Sequence, residues 1–214
     1  KIKDTIAKAK KENIDLIVFA ELAVCGYPPR DFLEFNDFIK HCENAIKSIA
    51  LECKGIAAIV GSPSVNPQKK GKNLFNSAYF LNDGKIVSIH PKALLPNYDV
   101  FDEYRYFEPA KKLSIIEYKG VKIALTICED IWDIGNDRMY TYWPMEELIG
   151  QKPDLMINIA ASPFDYAHAE VRKEVMSANA KKYKLPLFYV NHVGSQTELI
   201  FDGGSMVADA KGNI

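Results

Sequence analysis

Three residues of reactive type come directly after apolar runs of the chain. Glu21 follows "LIVFA", Lys92 follows "IVSIHP" and Cys128 follows "ALTI". In layered α/β folds the loops that leave the strand ends gather to form sites, so we expect these three side chains to meet in one cavity. A carboxylate, an ammonium and a thiol would then face a common ligand.

This combination matches the chemistry of amide hydrolysis. A thiolate attacks the carbonyl carbon, and a neighbouring ammonium favours the thiolate form of a cysteine. A carboxylate can take the thiol proton and then protonate the departing amine, while the ammonium stabilises the negative oxygen that develops on the carbonyl. The sequence therefore supports the hypothesis of a cysteine-dependent amide hydrolase that needs no histidine.

Each of the three residues also has a purely structural explanation. Taken alone, Glu21 is compatible with a solvated charge at a strand end and Lys92 with a surface lysine. Cys128 is compatible with a small buried apolar side chain. Spacing along the chain does not show that the three converge, so both explanations stay open at this level.

Composition argues against several other classes of protein. The 214 residues carry a net charge of −1, which argues against nucleic acid and membranes as partners. No apolar run approaches the roughly 20 residues of a membrane-spanning helix. The four cysteines form no C-x-x-C pair and the four histidines no H-x-x-x-H pair, so we predict neither a metal site nor a disulfide framework. Reduced thiols indicate a cytoplasmic protein.

The order of the predicted elements indicates a mixed α/β fold in one domain, residues 1–214. Predicted helices cover 1–13, 36–53 and 165–184. Predicted buried strands cover 15–20, 56–61, 154–160 and 185–191, and predicted hairpins cover 76–90, 113–127 and 198–212. Asp165 is the predicted N-cap of the third helix. This alternation favours a mixed sheet layered with helices over a purely parallel sheet.

Five segments resemble the nitrilase, or carbon–nitrogen hydrolase, superfamily. They are "FAELAVCGYPPRDFL" (19–33), "HPKALLPNYDVFDEYRYFEP" (90–109), "ALTICEDIW" (124–132), "NIAASPFDY" (158–166) and "FYVNHVGSQTELIFDGGS" (188–205). The block "LPNYDVFDEYRYF" is the most specific and resembles the branch formed by the glutaminase domains of glutamine-dependent NAD synthetases. The resemblance implies a nitrilase-like four-layer αββα sandwich, truncated at both ends, with the first strand of the fold missing before residue 1.

The same resemblance implies roles for individual residues. Glu21 corresponds to the general base, Lys92 to the lysine that stabilises the oxyanion, and Cys128 to the nucleophile, which would stand on a tight turn after its strand. Glu103 corresponds to a second glutamate that orients the lysine and the substrate amide. The residues that correspond to substrate contacts are Tyr27, Tyr98, Glu129, Ser162 and His168. The backbone N–H of Glu129 would be a second oxyanion donor.

The implied reaction is hydrolysis of L-glutamine to glutamate and ammonia through a thioester on Cys128. In the family, a synthetase domain uses this ammonia, ATP and Mg²⁺ to amidate deamido-NAD, and the glutaminase domain itself needs no cofactor. Family members associate through this domain, which implies a homo-oligomer. No S-G-G-x-D-S-type pyrophosphate loop occurs in the chain, so we expect the synthetase domain to be absent.

Two residues depart from the family pattern, and two other interpretations stay open. His168 stands where some members carry a positively charged substrate contact, and His192 stands where glutamine is expected. A free-standing amidase acting on another small amide is one alternative, although the block "YDVFDEYRYFEP" argues against it. A catalytically silent dimerisation module is the other, and alkylation of Cys128 by iodoacetamide would distinguish it.

Overall fold

The computed structural model describes residues 1–134 and 139–214, which divide into two compact units. The first unit comprises 1–91 and 95–109, and the second comprises 92–94 and 110–214. Each unit combines a main sheet with helices, which confirms the predicted mixed α/β class. Within the described ranges, no helix has the length and apolar character needed to cross a membrane.

The first unit contains a four-stranded mixed sheet in the order β1-β2-β3-β4. Its strands are β1 (Leu16–Val18), β2 (Ala57–Val65), β3 (Leu74–Asn82) and β4 (Lys85–Pro91). Its helices are α1 (Ile2–Lys11), α2 (Asn36–Glu52) and α3 (Glu103–Tyr106), with a 3-10 helix at Arg30–Glu34. β1 runs parallel to β2, whereas β2, β3 and β4 are antiparallel neighbours.

The core of the first unit forms where helical and strand periodicities place apolar side chains on the same side. Ile6 of α1 and Ile46 of α2 are fully buried in one cluster with Ala58 of β2 and Leu81 of β3. The lysines of α1 are exposed, and two of them flank its apolar face: Lys3 donates to the Ser48 hydroxyl and Lys10 to the Glu52 carbonyl of α2. The two helices therefore cover the sheet and hold rigid the strands that precede the predicted site residues.

The second unit contains a five-stranded sheet in the order β11-β8-β7-β6-β5 and a separate ribbon of β9 and β10. The main-sheet strands are β5 (Ile116–Tyr118), β6 (Val121–Ile127), β7 (Leu155–Ala160), β8 (Leu187–Asn191) and β11 (Met206–Ala208). The ribbon strands are β9 (Val193–Gln196) and β10 (Leu199–Asp202). The helices are α4 (Pro144–Ile149) and α5 (His168–Tyr183), with a 3-10 helix at Cys128–Ile131.

Two local predictions in the second unit are wrong. The predicted hairpin 198–212 does not form, because β10 pairs with β9 while β11 pairs with β8. Gly203 and Gly204 both have positive φ, a conformation open to glycine, and they separate the two strands. Asp165 is not the N-cap of α5: the cap is Ala167, and the Asp165 carboxylate instead accepts the Ala167 N–H at 2.9 Å in the preceding turn.

Candidate active site

The predicted site residues fall into two groups, one in each unit. The first unit holds Glu21, Tyr27, Tyr98 and Glu103, and the second holds Lys92, Cys128, Glu129, Ser162 and His168. Glu21 and Lys92 are fully buried, and Cys128 is 5% exposed. Burial of a charge is unfavourable unless hydrogen bonds or opposite charges compensate for it. Glu21 and Lys92 are therefore not solvated surface charges, which was the structural explanation considered for each of them.

Glu21 lies on a tight turn that stays hydrogen-bonded to β2. The Phe19 N–H donates to the carbonyl of Ile59 at 2.8 Å, and the Val24 N–H donates to the carbonyl of Gly61 at 3.2 Å. Between them, Leu22 has a φ of 48°, and its carbonyl accepts the Gly26 N–H at 2.7 Å. The backbone on both sides of Glu21 is thereby fixed against the sheet.

Gly61 allows this turn to approach β2 closely. A Cβ at position 61 would lie 2.4 Å from the carbonyl oxygen of Ala20 and 2.4 Å from the nitrogen of Leu22. These are backbone atoms and cannot rotate away as a flexible side chain would, so any larger residue would displace the turn that carries Glu21. The glycine is required by steric contact rather than by its own backbone angles.

Glu21 and Glu103 are joined by one asparagine of β3. The Asn76 Nδ2 donates to Glu21 Oε1 at 2.7 Å and to Glu103 Oε2 at 3.1 Å. The Tyr27 hydroxyl donates to the second oxygen of Glu103, Oε1, at 2.9 Å. The structure thus brings three predicted site residues of the first unit into one buried network, in which Asn76 is a member that the sequence did not indicate.

Aromatic rings continue from Tyr27 to Tyr98. The Phe101 ring lies 6.3 Å from the Tyr27 ring and 5.6 Å from the Tyr98 ring, both in edge-to-face geometry. Tyr27 is 2% exposed, whereas Tyr98 is 39% exposed. The first unit therefore offers an aromatic wall that leads from solvent to the carboxylate network.

Cys128 follows β6 directly and opens the 3-10 helix Cys128–Ile131, as expected for a residue on a tight turn. Its φ is 44°, a strained value for a residue other than glycine. The Asn158 side chain, from the neighbouring strand β7, donates to the Cys128 carbonyl at 3.3 Å and to the Thr126 hydroxyl at 3.0 Å. The sheet therefore holds this unusual backbone conformation in place.

Asp130 connects the segments that carry Lys92 and Cys128. Its Oδ1 accepts the N–H groups of Ala93 and Leu94 at 3.0 and 2.8 Å, directly after Lys92. Its Oδ2 accepts the N–H of Ile127, directly before Cys128, at 3.0 Å. The buried Asp130 carboxylate thus fixes the backbone next to both Lys92 and Cys128.

Burial raises the pKa of Asp130 to about 6. The loss of hydration outweighs the N–H donors of Ile127, Leu94 and Ala93 and the positive charge of Lys92, all of which favour the ionised carboxylate. Asp130 therefore changes charge in the weakly acidic range rather than near pH 4.

Replacing Asp130 by Asn is expected to change how stability depends on pH. Between about pH 4 and 6 the folded wild type retains a proton on Asp130 that the unfolded chain releases, so the contribution of this group to stability falls as pH rises, by about 2–3 kcal/mol. Asparagine does not titrate. In denaturant unfolding, the difference in unfolding free energy between the wild type and Asp130→Asn should decrease by that amount between pH 4 and 7. A difference that does not depend on pH would contradict the raised pKa of Asp130.

Glu129 and Ser162 are buried and held by specific partners. The Tyr140 hydroxyl donates to Glu129 Oε1 at 2.9 Å. The Ser162 N–H donates to Asn191 Oδ1 at 2.8 Å, and Asn191 Nδ2 donates back to the Ser162 carbonyl at 3.1 Å. The backbone of Ser162 is therefore fixed by the Asn191 side chain at the end of β8.

His168 begins α5 and packs its ring edge-on against Trp132, with the ring centroids 5.8 Å apart. A permanent positive charge lies one helical turn later on Arg172, which is 1% exposed and donates to Asp202 Oδ1 at 2.9 Å. This hydrogen bond, together with the charges of Arg172 and His168, lowers the pKa of Asp202. Sequence analysis missed Arg172, because arginine on a predicted amphipathic helix suggests a solvated face.

The fold is that of the nitrilase superfamily, as predicted. The chain superposes on an amidase of that superfamily from Nesterenkonia sp. AN1 with a TM-score of 0.80, over 99% of this chain and 77% of the amidase, at 20% identity. At that identity the likeness establishes the fold alone.

The chain belongs to the carbon–nitrogen hydrolase family, whose sequence model matches residues 1–214. It is similar to the glutamine-dependent NAD(+) synthetase of Synechocystis sp., with 39% identity over 100% of this chain and 40% of that protein. The corresponding Thermotoga maritima protein is 34% identical over 99% and 35%. The ADP complex of the Acinetobacter baumannii synthetase gives a TM-score of 0.88 and 35% identity, over 99% of this chain and 38% of that one. The chain thus spans about two fifths or less of these relatives.

Proposed function

We propose that the chain is a glutamine amidohydrolase, the ammonia-releasing part of a glutamine-dependent NAD synthetase. The observation that carries the proposal is the 39% identity to such a synthetase over the whole of this chain. The buried carboxylate network, the buried ammonium and the cysteine on its strained turn supply the functional groups that the reaction requires.

The proposed reaction has two steps. In the first, Glu21 takes the thiol proton of Cys128, and the sulfur attacks the side-chain carbonyl carbon of glutamine. The tetrahedral oxyanion is stabilised by the Lys92 ammonium and the Glu129 N–H. The C–N bond then breaks, Glu21 returns the proton to the nitrogen, and ammonia leaves a γ-glutamyl thioester. In the second step, water deprotonated by Glu21 attacks the thioester, which releases glutamate and restores the thiol.

The remaining predicted residues orient the substrate in this proposal. Glu103 acts as a fixed anion that orients Lys92 and the substrate amide, and Tyr27 lines the pocket. Tyr98, Glu129 and Ser162 bind the amino-acid end of glutamine, with His168 facing its carboxylate. The double hydrogen bonding of Glu103 supports a role as a fixed charge.

The ammonia would serve a synthetase domain that uses ATP and Mg²⁺ to amidate deamido-NAD. The partial coverage of the relatives supports the existence of that domain in the full-length protein. We further propose that the glutaminase part uses no cofactor of its own, resides in the cytoplasm and associates with copies of itself.

Substrate choice tests the proposal directly. We expect the chain to release ammonia from L-glutamine with a kcat/KM at least about 100-fold above that for acetamide or butyramide, because the amino-acid end supplies binding energy that short amides lack. A preference for the short amides would instead establish a free-standing amidase. No release from any amide, together with an unreactive Cys128, would favour the dimerisation module.

A further inference from the structure

The Asn76 side chain bonds both predicted site glutamates of the first unit, Glu21 and Glu103. We propose that it is a positioning residue of the reaction, which fixes the carboxylates of Glu21 and Glu103 relative to each other. The inference rests on the proposed function, since it takes Glu21 as the general base.

The amide of Asn76 matches the task of separating two buried carboxylates. Its NH₂ group has two N–H donors, one for each carboxylate, at 2.7 Å to Glu21 and 3.1 Å to Glu103. All three side chains are at most 4% exposed. Two carboxylates in such surroundings disfavour each other's ionisation, and a shared donor lessens that penalty without adding a titratable group.

The hydrogen bonds fix both glutamates. Glu103 accepts on both oxygens, from Tyr27 and from Asn76, which favours a constant orientation. Glu21 accepts the other N–H of the same amide on Oε1. Asn76 therefore holds the two carboxylates in one fixed arrangement.

The other end of the Asn76 amide shows that this arrangement is not optimal for stability. Its Oδ1 is buried and has no hydrogen-bond partner among the residues that the structure describes. Leaving a buried acceptor unpaired is destabilising. Rotating the amide by half a turn would place Oδ1 against two carboxylate oxygens and lose both bonds, so the carboxylates determine the orientation of the side chain.

The backbone of Asn76 is rigid, as a positioning role requires. It lies in β3, an inner strand, opposite Pro63 of β2 and next to Ser77, which pairs with both neighbouring strands. A side chain on such a strand is held more precisely than one on a loop.

The test compares Asn76→Leu, which lacks the donors, and Asn76→Asp, which replaces the amide by a carboxylate of the same size. Asn66→Ala is the matched control, because Asn66 is also buried in the first unit and its side chain bonds loop backbone, at Lys72 and Gln68. For each variant, kcat, KM and the rate of Cys128 alkylation by iodoacetamide are measured against pH. Thermal unfolding of each variant reports its stability.

We expect kcat to fall by about tenfold or more in Asn76→Leu and KM to rise less, because the two glutamates lose the donor that holds them in place. Asn76→Asp should lower kcat further, because it replaces the donors by a third carboxylate. Asn66→Ala should lower the unfolding temperature and leave kcat unchanged.

A kcat close to that of the wild type in both Asn76 variants would overturn the proposal, as would kcat losses that merely follow stability. If the wild type releases no ammonia from L-glutamine, the proposed function fails. The rate of Cys128 alkylation, which needs no substrate, then tests Asn76 alone: a slower rate in both Asn76 variants supports its positioning role, and an unchanged rate overturns it.

Discussion

The Cys128→Ala variant is expected to fold like the wild type and to lose glutamine hydrolysis by about 10⁴-fold or more. Without the sulfur no thioester can form, and water would have to attack the amide unaided. The substitution removes one small side-chain atom from a turn whose backbone is held by Asn158, and alanine experiences the positive φ much as cysteine does. The loss should therefore be chemical rather than structural.

Ammonia release and thermal unfolding, measured on the same preparation, separate these effects. Cys53→Ala is the matched control, because Cys53 is also buried but lies in the helix–sheet core of the first unit. That variant should unfold at a lower temperature and keep its kcat. Retention of a tenth of wild-type turnover by Cys128→Ala would exclude Cys128 as the nucleophile.

The Lys92→Met variant is expected to lose about 10²- to 10³-fold in kcat with a smaller change in KM. The ammonium interacts most strongly with the oxyanion of the transition state and less with the neutral amide of the ground state, so its removal slows turnover more than it weakens binding. Methionine fills a similar volume at this fully buried position and limits cavity formation.

Removal of the Lys92 charge also leaves Asp130 without a cation that favours its ionised form. We therefore expect a loss of stability, and the double variant Lys92→Met with Asp130→Asn should recover part of that stability but none of the kcat. Steady-state kinetics and urea unfolding of the two variants measure these effects. Near-normal turnover in Lys92→Met would remove Lys92 from the mechanism.

The sequence predicted the strand-to-turn position of Cys128 because local patterns determine it. An apolar run, "ALTI", ends where two carboxylates begin, and two adjacent charged residues interrupt the continuous apolar pattern of a buried strand. The start of α4 also has a local signal: Pro144 at the first helical turn, followed by Glu146 and Glu147.

Asn76 and Asp130 could not be predicted in the same way. Asn76 stands inside a strand with no local feature to mark it, and its partners lie 55 and 27 residues away. The partners of Asp130 after Lys92 are 36 and 37 residues away. Such contacts arise from the pairing of strands and turns in three dimensions, and neither periodicity nor capping chemistry encodes them.

The turn that carries Glu21 illustrates an intermediate case. The run "LIVFA" marks where the strand ends, but the need for glycine at position 61 is visible only when β2 lies beside that turn. The pairing of β10 with β9 is a second such case. The segment of β10 could form a hairpin either with β9 or with β11, and Gly203 and Gly204, which separate it from β11, favour the pairing with β9.

The most direct test of the central claim is to trap the covalent intermediate. Wild-type protein is mixed briefly with L-glutamine, quenched in acid, and digested for peptide mass spectrometry, with Cys128→Ala treated in parallel. The mechanism predicts a γ-glutamyl thioester on the peptide that contains Cys128, absent from the variant and lost when the wild type is returned to neutral pH. Release of ammonia from glutamine with no adduct on Cys128, or with the adduct on another residue, would contradict it.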